Sequence, residues 1–178
     1  MRPAVSVDAT IALQNGINIE APFRALFVTN PLLSAVLYTP VSQTSPTTFA
    51  DSLLDMIYLG TYTASAPTTH KAAAEYLTQA LYAGVASATQ IEDIQLERWK
   101  KLLINGSENS VCALCGLRDA TFLQSSMGAV GFLRDVMREI AATATATAVG
   151  YEGIDEGVVE EQMELLLARA LPGVMPSR

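Results

Sequence analysis

The sequence predicts an α/β segment followed by an all-α segment, on three observations. Up to about residue 90, short apolar runs rich in β-favouring residues alternate with helical patterns. Loops rich in Thr, Ser and Pro separate them, at 39–52 and 61–69. From about Glu92 onward the strand signal disappears and amphipathic helices carry the chain to its end. The change of pattern sets the expected domains at 1–92 and 93–178.

In order, residues 5–13 end in an apolar strand that stops at Gln14-Asn15-Gly16, an Asn-Gly turn signal. Residues 22–28 read as a short helix, 34–38 as a second strand and 55–60 as a third, stopped by Gly60. His70 to Ala83 is helical, with Ala73, Leu77, Ala80 and Leu81 at three-to-four spacing and Gly84 as its end. Residues 85–90 read as an edge strand. The helix containing Trp99 runs to about Leu114, residues 116–125 form a break, and Met127 to Val149 is one long helix closed by Gly150. Ser125-Ser126 suits its N-cap. The Ala/Thr repeat at 141–148 suits close helix packing. The last helix covers 155–170, with Val158, Met163, Leu166 and Leu167 inward and Asp155 at its positive end.

The chain has 178 residues and a net charge of −7, with no basic patch to neutralise phosphates, which argues against a nucleic-acid binder. Half of its residues are hydrophobic, yet no run approaches the roughly 20 apolar residues of a membrane span. The N-terminus makes a poor signal peptide, because Asp8 interrupts its apolar stretch. A cytoplasmic enzyme or binding protein is the expectation. Cys112 and Cys115 fit a reducing compartment. They lack a second ligand pair for zinc and read as buried core residues. The single histidine, His70, gives no triad and is expected at the surface. No metal site and no G-x-G-x-x-G or Walker motif is present.

One stretch offers chemistry. Lys101, Asn105 and Asn109 are spaced by four, so on an α-helix they fall within roughly 80° of one another. Trp99, Leu102 and Leu103 take the opposite side and call for burial. A helix that packs on one face and aims an ammonium and two carboxamides from the other can hold an anion or a carbonyl. A solvated polar face is the plain alternative. Asn15 adds a second donor and acceptor at the end of a strand, where ligands gather in doubly wound α/β sheets. A simple turn is its alternative.

Strand-Gln14-Asn15-Gly16 together with Trp99-x-Lys101-Leu102-x-x-Asn105-x-x-x-Asn109 resembles the ketopantoate reductase (2-dehydropantoate 2-reductase) family. The likeness runs from about residue 5 to the end. It takes in Tyr58-Leu59-Gly60 before a helix, the Glu139 helix ending in Ala146-x-x-x-Gly150, and Pro176-Ser177. The resemblance implies the C-terminal part of a Rossmann-type domain, then a helical domain like the 6-phosphogluconate dehydrogenase C-terminal domain. It implies NADPH-dependent reduction of ketopantoate to pantoate, in pantothenate biosynthesis. Lys101 matches the catalytic lysine, Asn105, Asn109 and Ser177 match substrate-binding residues, and Asn15 matches the asparagine that meets cofactor and substrate. The implied partner is a small 2-keto acid, with neither nucleic acid nor membrane, and a homodimer is compatible with it.

The chemistry agrees with the stripe. Hydride addition to a ketone develops charge on oxygen, which a lysine ammonium (ordinary pKa about 10.4) can stabilise and then protonate. The asparagines can hold hydroxyl and carboxylate. The departures are specific. The glycine-rich turn that grips the pyrophosphate is absent, as is the family's glutamate beyond Ser177, which Arg178 follows where Met is usual. Asp119 stands where an asparagine is expected, and would repel a carboxylate. The chain is therefore expected to be a reductase truncated at both ends that binds NADPH poorly. The rival expectations are an inactive fragment kept as a helical association module, and a reductase of another branched 2-keto acid.

Overall fold

The computed structural model describes residues 8–39, 41–51, 56–146 and 153–171. The chain divides into two compact units, Met1–Glu97 and Arg98–Arg178.

The first unit is mixed α/β. Its elements are β1 (Thr10–Leu13), α1 (Ala21–Leu26), β2 (Leu32–Tyr38), β3 (Val41–Ser45), β4 (Thr48–Asp51), β5 (Met56–Thr61), α2 (Thr68–Ala83) and β6 (Ala88–Gln90). Four strands form one sheet in the order β1-β2-β5-β6. β1 runs parallel to β2 with Ile11 opposite Leu33, β5 runs antiparallel to β2 with Leu59 opposite Ala35, and β6 runs parallel to β5. β2 is buried from Leu32 to Val36, Ser34 included, which explains why its apolar residues do not alternate: a central strand covered on both faces has no reason to alternate. Leu33, Ala35 and Leu59 form the core with Ala74 of α2, and Leu37, Ile57 and Leu77 pack around them. The small side chains Ala73 and Ala74 are the buried residues of α2 and let it lie close to the strands.

Several expectations are corrected. Residues 39–52 are not simply a loop, because β3 and β4 pair as an antiparallel hairpin within them. Every residue of β3 is exposed, so no apolar alternation marks it, and only its Val and Thr residues favour a strand. Gly84 ends α2 without a left-handed conformation, at φ −85°, and it is Val85 that takes φ +70°. Residue 85 therefore belongs to the turn, and the edge strand shrinks to Ala88–Gln90.

The second unit is helical. α3 (Ile94–Ile104) starts within the first unit and continues into the second, a π-helical turn follows at Asn105–Asn109, and then come α4 (Ser110–Cys115), α5 (Asp119–Ser125), α6 (Ala129–Ala146) and α7 (Glu156–Ala170). α6 buries Ala129, Leu133, Met137, Ala141 and Ala144, one stripe at near-helical spacing. α7 packs against it and buries Val159, Gln162, Met163 and Leu166. Val158 and Leu167, expected inward, are half-buried: the buried stripe lies one residue further round. Asp155 caps α7 as expected, accepting from the Val158 amide at 3.0 Å. Arg134 to Glu160 at 2.7 Å, and Arg138 to Glu156, lace the two helices at the surface.

The break at 116–125 is also corrected. Gly116 closes α4 at φ +64°, with the Leu117 amide donating to the Cys112 carbonyl at 3.0 Å, and the chain is helical again from Asp119. Ser126 ends α5 rather than capping the next helix. Val149 and Gly150 lie outside the described residues.

Two substitutions test this packing. A Cβ at Gly60 would stand 2.9 Å from Ile94 Cβ and 3.0 Å from the Ile91 carbonyl oxygen. Gly60→Ala is expected to lower unfolding stability in urea by about 1–3 kcal/mol; an unchanged midpoint would show that the 91–94 segment yields. Val85→Gly is expected to raise stability by about 1 kcal/mol, because an exposed β-branched residue leaves a left-handed backbone.

Candidate functional site

The amphipathic split predicted for the Trp99 helix is present. Trp99 and Leu103, four residues apart, are buried, with Arg98 buried beside them, while Leu102 and Lys101 are half-buried. Burial pushes the Lys101 ammonium below the ordinary lysine value, and the like charge of Arg98, one turn earlier, pushes the same way.

The helix that follows is not the continuous α-helix that the spacing assumed. At Asn105 it opens into a π-helical turn. The cause is local. The Ser107 hydroxyl donates to the Leu103 carbonyl in a short hydrogen bond and lies 3.5 Å from the Ile104 carbonyl, competing with the helix's own amides. The Ser110 hydroxyl then takes the Asn105 carbonyl at 3.1 Å, five residues back. A Cβ on Gly106 would meet Ile140 Cδ1 at 2.8 Å, so glycine lets the wide turn sit against α6. π turns of this kind recur at functional sites.

The turn brings the two carboxamides together. Asn109 Nδ2 donates to Asn105 Oδ1 at 2.8 Å. Lys101 precedes Asn105 by one helical turn, so ammonium and paired amides follow one another along one segment. Asn15 stands in the other unit, exposed in the turn after β1, where Gly16 takes φ +106° and Asn18 φ +58°. Ser177 lies outside the described residues.

The π turn also corrects the cysteine reading. One extra residue in a turn rotates all that follows by about 100° relative to an unbroken α-helix. Cys112 is half-buried and Cys115 exposed. Burial and the Glu108 and Asp119 carboxylates push the Cys112 thiol up. Cys115 lines an open apolar hollow of about 520 Å³ with Leu114, Phe122 and Phe132; none of the three stripe residues lines it. His70, expected at the surface, is half-buried, and its Nδ1 is buried with no partner among the described residues.

Sequence reasoning missed two buried acids, Glu108 and Glu20. Glu108 is 4% exposed, and its carboxylate accepts from Arg169 Nη2 of α7 at 2.5 Å. Asp119, at the start of α5, lies 3.9 Å from the same guanidinium and accepts from the Ala120 amide at 2.8 Å. Glu20 is fully buried, and its Oε1 accepts from Ser34 at 2.7 Å and from Gln95 at 2.9 Å, joining the start of α1 to β2 and to the start of α3. An acidic residue beside a helix reads as solvated until its partner, 61 residues away for Glu108, is known. Among the described residues no group of three or more His, Cys, Asp or Glu side chains is placed to hold a metal, and no helix is long and apolar enough to cross a membrane.

Residues 93–176 match the family described as ketopantoate reductase PanE/ApbA C terminal. No curated protein matches the chain. Among solved structures it is similar to 2-dehydropantoate 2-reductase from Methylococcus capsulatus, at 25% identity and a TM-score of 0.69, covering 89% of this chain and 48% of that one. It is similar in fold to the enzyme of the same name from Geobacter metallireducens, at 22% identity and a TM-score of 0.73, covering 94% and 53%. D-mandelate dehydrogenase, in a ternary structure with NADH and anilino(oxo)acetate, shares the fold at 17% identity and a TM-score of 0.72, covering 91% and 49%. The chain spans about half the length of these relatives. Its fold is theirs: part of a Rossmann-type α/β domain followed by a helical domain.

The surroundings of Lys101 set a titration. Its ammonium is expected to lose its proton below 10.5, followed by NMR of the Nζ group; a midpoint at or above that value would contradict the burial. The sign for stability follows. The charged form carries a cost at every pH below the folded-state value, and this cost fades as pH rises from there to 10.5.

Proposed function

We propose that the chain, whose residues 93–176 match the family described as ketopantoate reductase PanE/ApbA C terminal, is the substrate-binding and proton-donating part of an NADPH-dependent reductase of ketopantoate. The observation that carries the reading is a half-buried lysine of lowered proton affinity, one helical turn before a hydrogen-bonded pair of carboxamides. The proposed domains are a partial dinucleotide-binding domain over 1–92 and a substrate-binding domain over 93–178.

In this reading Lys101 donates a hydrogen bond to the ketone oxygen, stabilises the charge that develops there and delivers a proton to it. The shift below the ordinary lysine value narrows the gap to neutral pH and makes that transfer easier. Asn105 and Asn109 hold the substrate's hydroxyl and carboxylate, with Ser177 as a further ligand, and so fix the face of the ketone presented for reduction. Asn15 meets the nicotinamide amide and the substrate. NADPH, when bound, supplies the hydride. The sequence carries no glycine-rich turn for its pyrophosphate, so this 178-residue chain holds the cofactor weakly.

The second reading is a reductase of another branched 2-keto acid. Asp119 stands where an asparagine is expected, so the contact offered at that position differs from the family's under either reading. A cytoplasmic site of action and assembly as a homodimer accompany either reading. A structural neighbour is described as a dimeric ketopantoate reductase from Staphylococcus aureus.

Four measurements test these readings. Titration of the chain with NADPH, followed by nicotinamide fluorescence, is expected to show weak, non-saturating binding; tight saturable binding would overturn that part. In a chain supplied with the glycine-rich cofactor turn, where turnover can be measured, Lys101→Ala is expected to lower kcat for ketopantoate by about 10²–10⁴ and to remove the alkaline limb of the pH profile. A rate within a few-fold of the parent would make Lys101 an ordinary surface lysine. Asn105→Ala is expected to raise KM about ten-fold with a smaller change in kcat. Across a panel of 2-keto acids, a higher kcat/KM for another acid would select the second reading.

A further inference from the structure

The Asn105–Asn109 pair sits on the least regular part of the helix, and its geometry is only as fixed as the π turn beneath it. A π turn in the middle of a helix needs specific support. Most of that support is local: the Ser107 and Ser110 hydroxyls and the missing Cβ of Gly106. One polar contact reaches out of the segment. Glu108, inside the turn, is bound at 2.5 Å by Arg169 of α7. The Glu108 side chain is 5% exposed and that of Arg169 48%, so a desolvated carboxylate is held by a guanidinium that still touches solvent. Such charge-assisted bonds are short and directional.

We propose that Glu108 and Arg169 are positioning residues for the substrate face, their ion pair holding the π turn and, through it, the Asn105–Asn109 carboxamide pair. This rests on the reading of those asparagines as substrate ligands. Glu108 immediately precedes Asn109, so fixing its side chain to α7 fixes the backbone from which the Asn109 amide reaches Asn105. The amide pair is then polarised in one sense. Asn105 Oδ1 is occupied by Asn109 Nδ2. Asn105 Nδ2 and Asn109 Oδ1 have no further hydrogen bond among the described residues, so the pair offers a donor from the first and an acceptor from the second. That complements a ligand with an acceptor beside a donor, as in a 2-hydroxy acid. The same Arg169 nitrogen lies 3.9 Å from the Asp119 carboxylate, so two carboxylates on two elements share the guanidinium. Neither Glu108 nor Arg169 needs to touch the ligand.

The test uses the whole isotopically labelled chain and reads the Asn109 side-chain amide protons by NMR, with backbone amides of α6 as an internal reference. Arg169→Ala is expected to speed exchange of the Asn109 amide protons about ten-fold while α6 exchange stays constant. Binding of ketopantoate, titrated on the same samples, is expected to weaken about ten-fold, and Arg169→Lys to recover most of both effects. If Arg169→Ala does not fold, Glu108→Gln carries the test: it keeps the shape and removes the charge, and moves exchange in the same direction. Unchanged Asn109 exchange in either folded variant overturns the proposal, as does a change shared equally by α6. Faster exchange in a chain whose parent binds no ketopantoate would place the failure in the substrate reading and leave the anchor standing.

Discussion

A π turn inside a helix sets the geometry on which the candidate site depends. Ser107 competes for the Leu103 carbonyl, and the regular ladder of amides gives way to a π turn at Asn105–Asn109. The turn changes what lies on either side of it. Before it, Trp99 and Leu103 follow the spacing of an ordinary amphipathic helix. Within it, two carboxamides meet at 2.8 Å. After it, α4 is rotated, and the apolar Leu114 and the thiol of Cys115 face outward. Gly106 makes this possible, because the wide turn presses against Ile140 where any side chain would intrude.

The first unit shows a parallel economy around Gly60 and Glu20. Gly60, in β5, is overlaid by the segment 91–94 at a distance that excludes a Cβ, so the start of α3 is set directly on the sheet. Glu20 receives Ser34 from β2 and Gln95 from α3 on one oxygen. A buried carboxylate without such donors would be costly, and with them it becomes a directional joint. The turn that carries Asn15 lies between β1 and Glu20, so its end is fixed by that joint. In each unit, then, a buried acid with partners distant in sequence fixes the segment beside a candidate ligand-binding asparagine.

Much of the secondary structure was legible because it is driven by burial. The apolar residues of β2 around Ser34, the Ala73 and Leu77 spacing in α2 and the stripe of α6 each follow from one face, or both, leaving water, whereas Ala80, expected on the same side of α2, is exposed. What escaped was structure without an apolar signature. The β3–β4 hairpin is exposed and polar along β3, and its pairing is held by backbone hydrogen bonds that any side chain permits. The short α5 was hidden by Arg118-Asp119, which reads as a turn although Asp119 suits a helix start. The cysteines were placed inside by extrapolating an α-helical period through a segment that does not keep it. Ser107 and Ser110 on either side of Glu108, within a helical run, were the available sign of that departure.

The sequence by itself determined the order α/β then all-α, the apolar side of the Trp99 helix, and the spacing that sets Lys101, Asn105 and Asn109 on one segment as candidate ligands. These follow from residue type and local period, which a chain carries along its length. The tertiary structure decided how those groups are held. The lowered proton affinity of Lys101 comes from burial, the coupling of the two amides from a π turn seated on α6, and the fixing of Glu108 from Arg169 on α7. Each of these depends on which distant residue arrives at a given place. Desolvation and charge pairing act through space, so no local pattern encodes them.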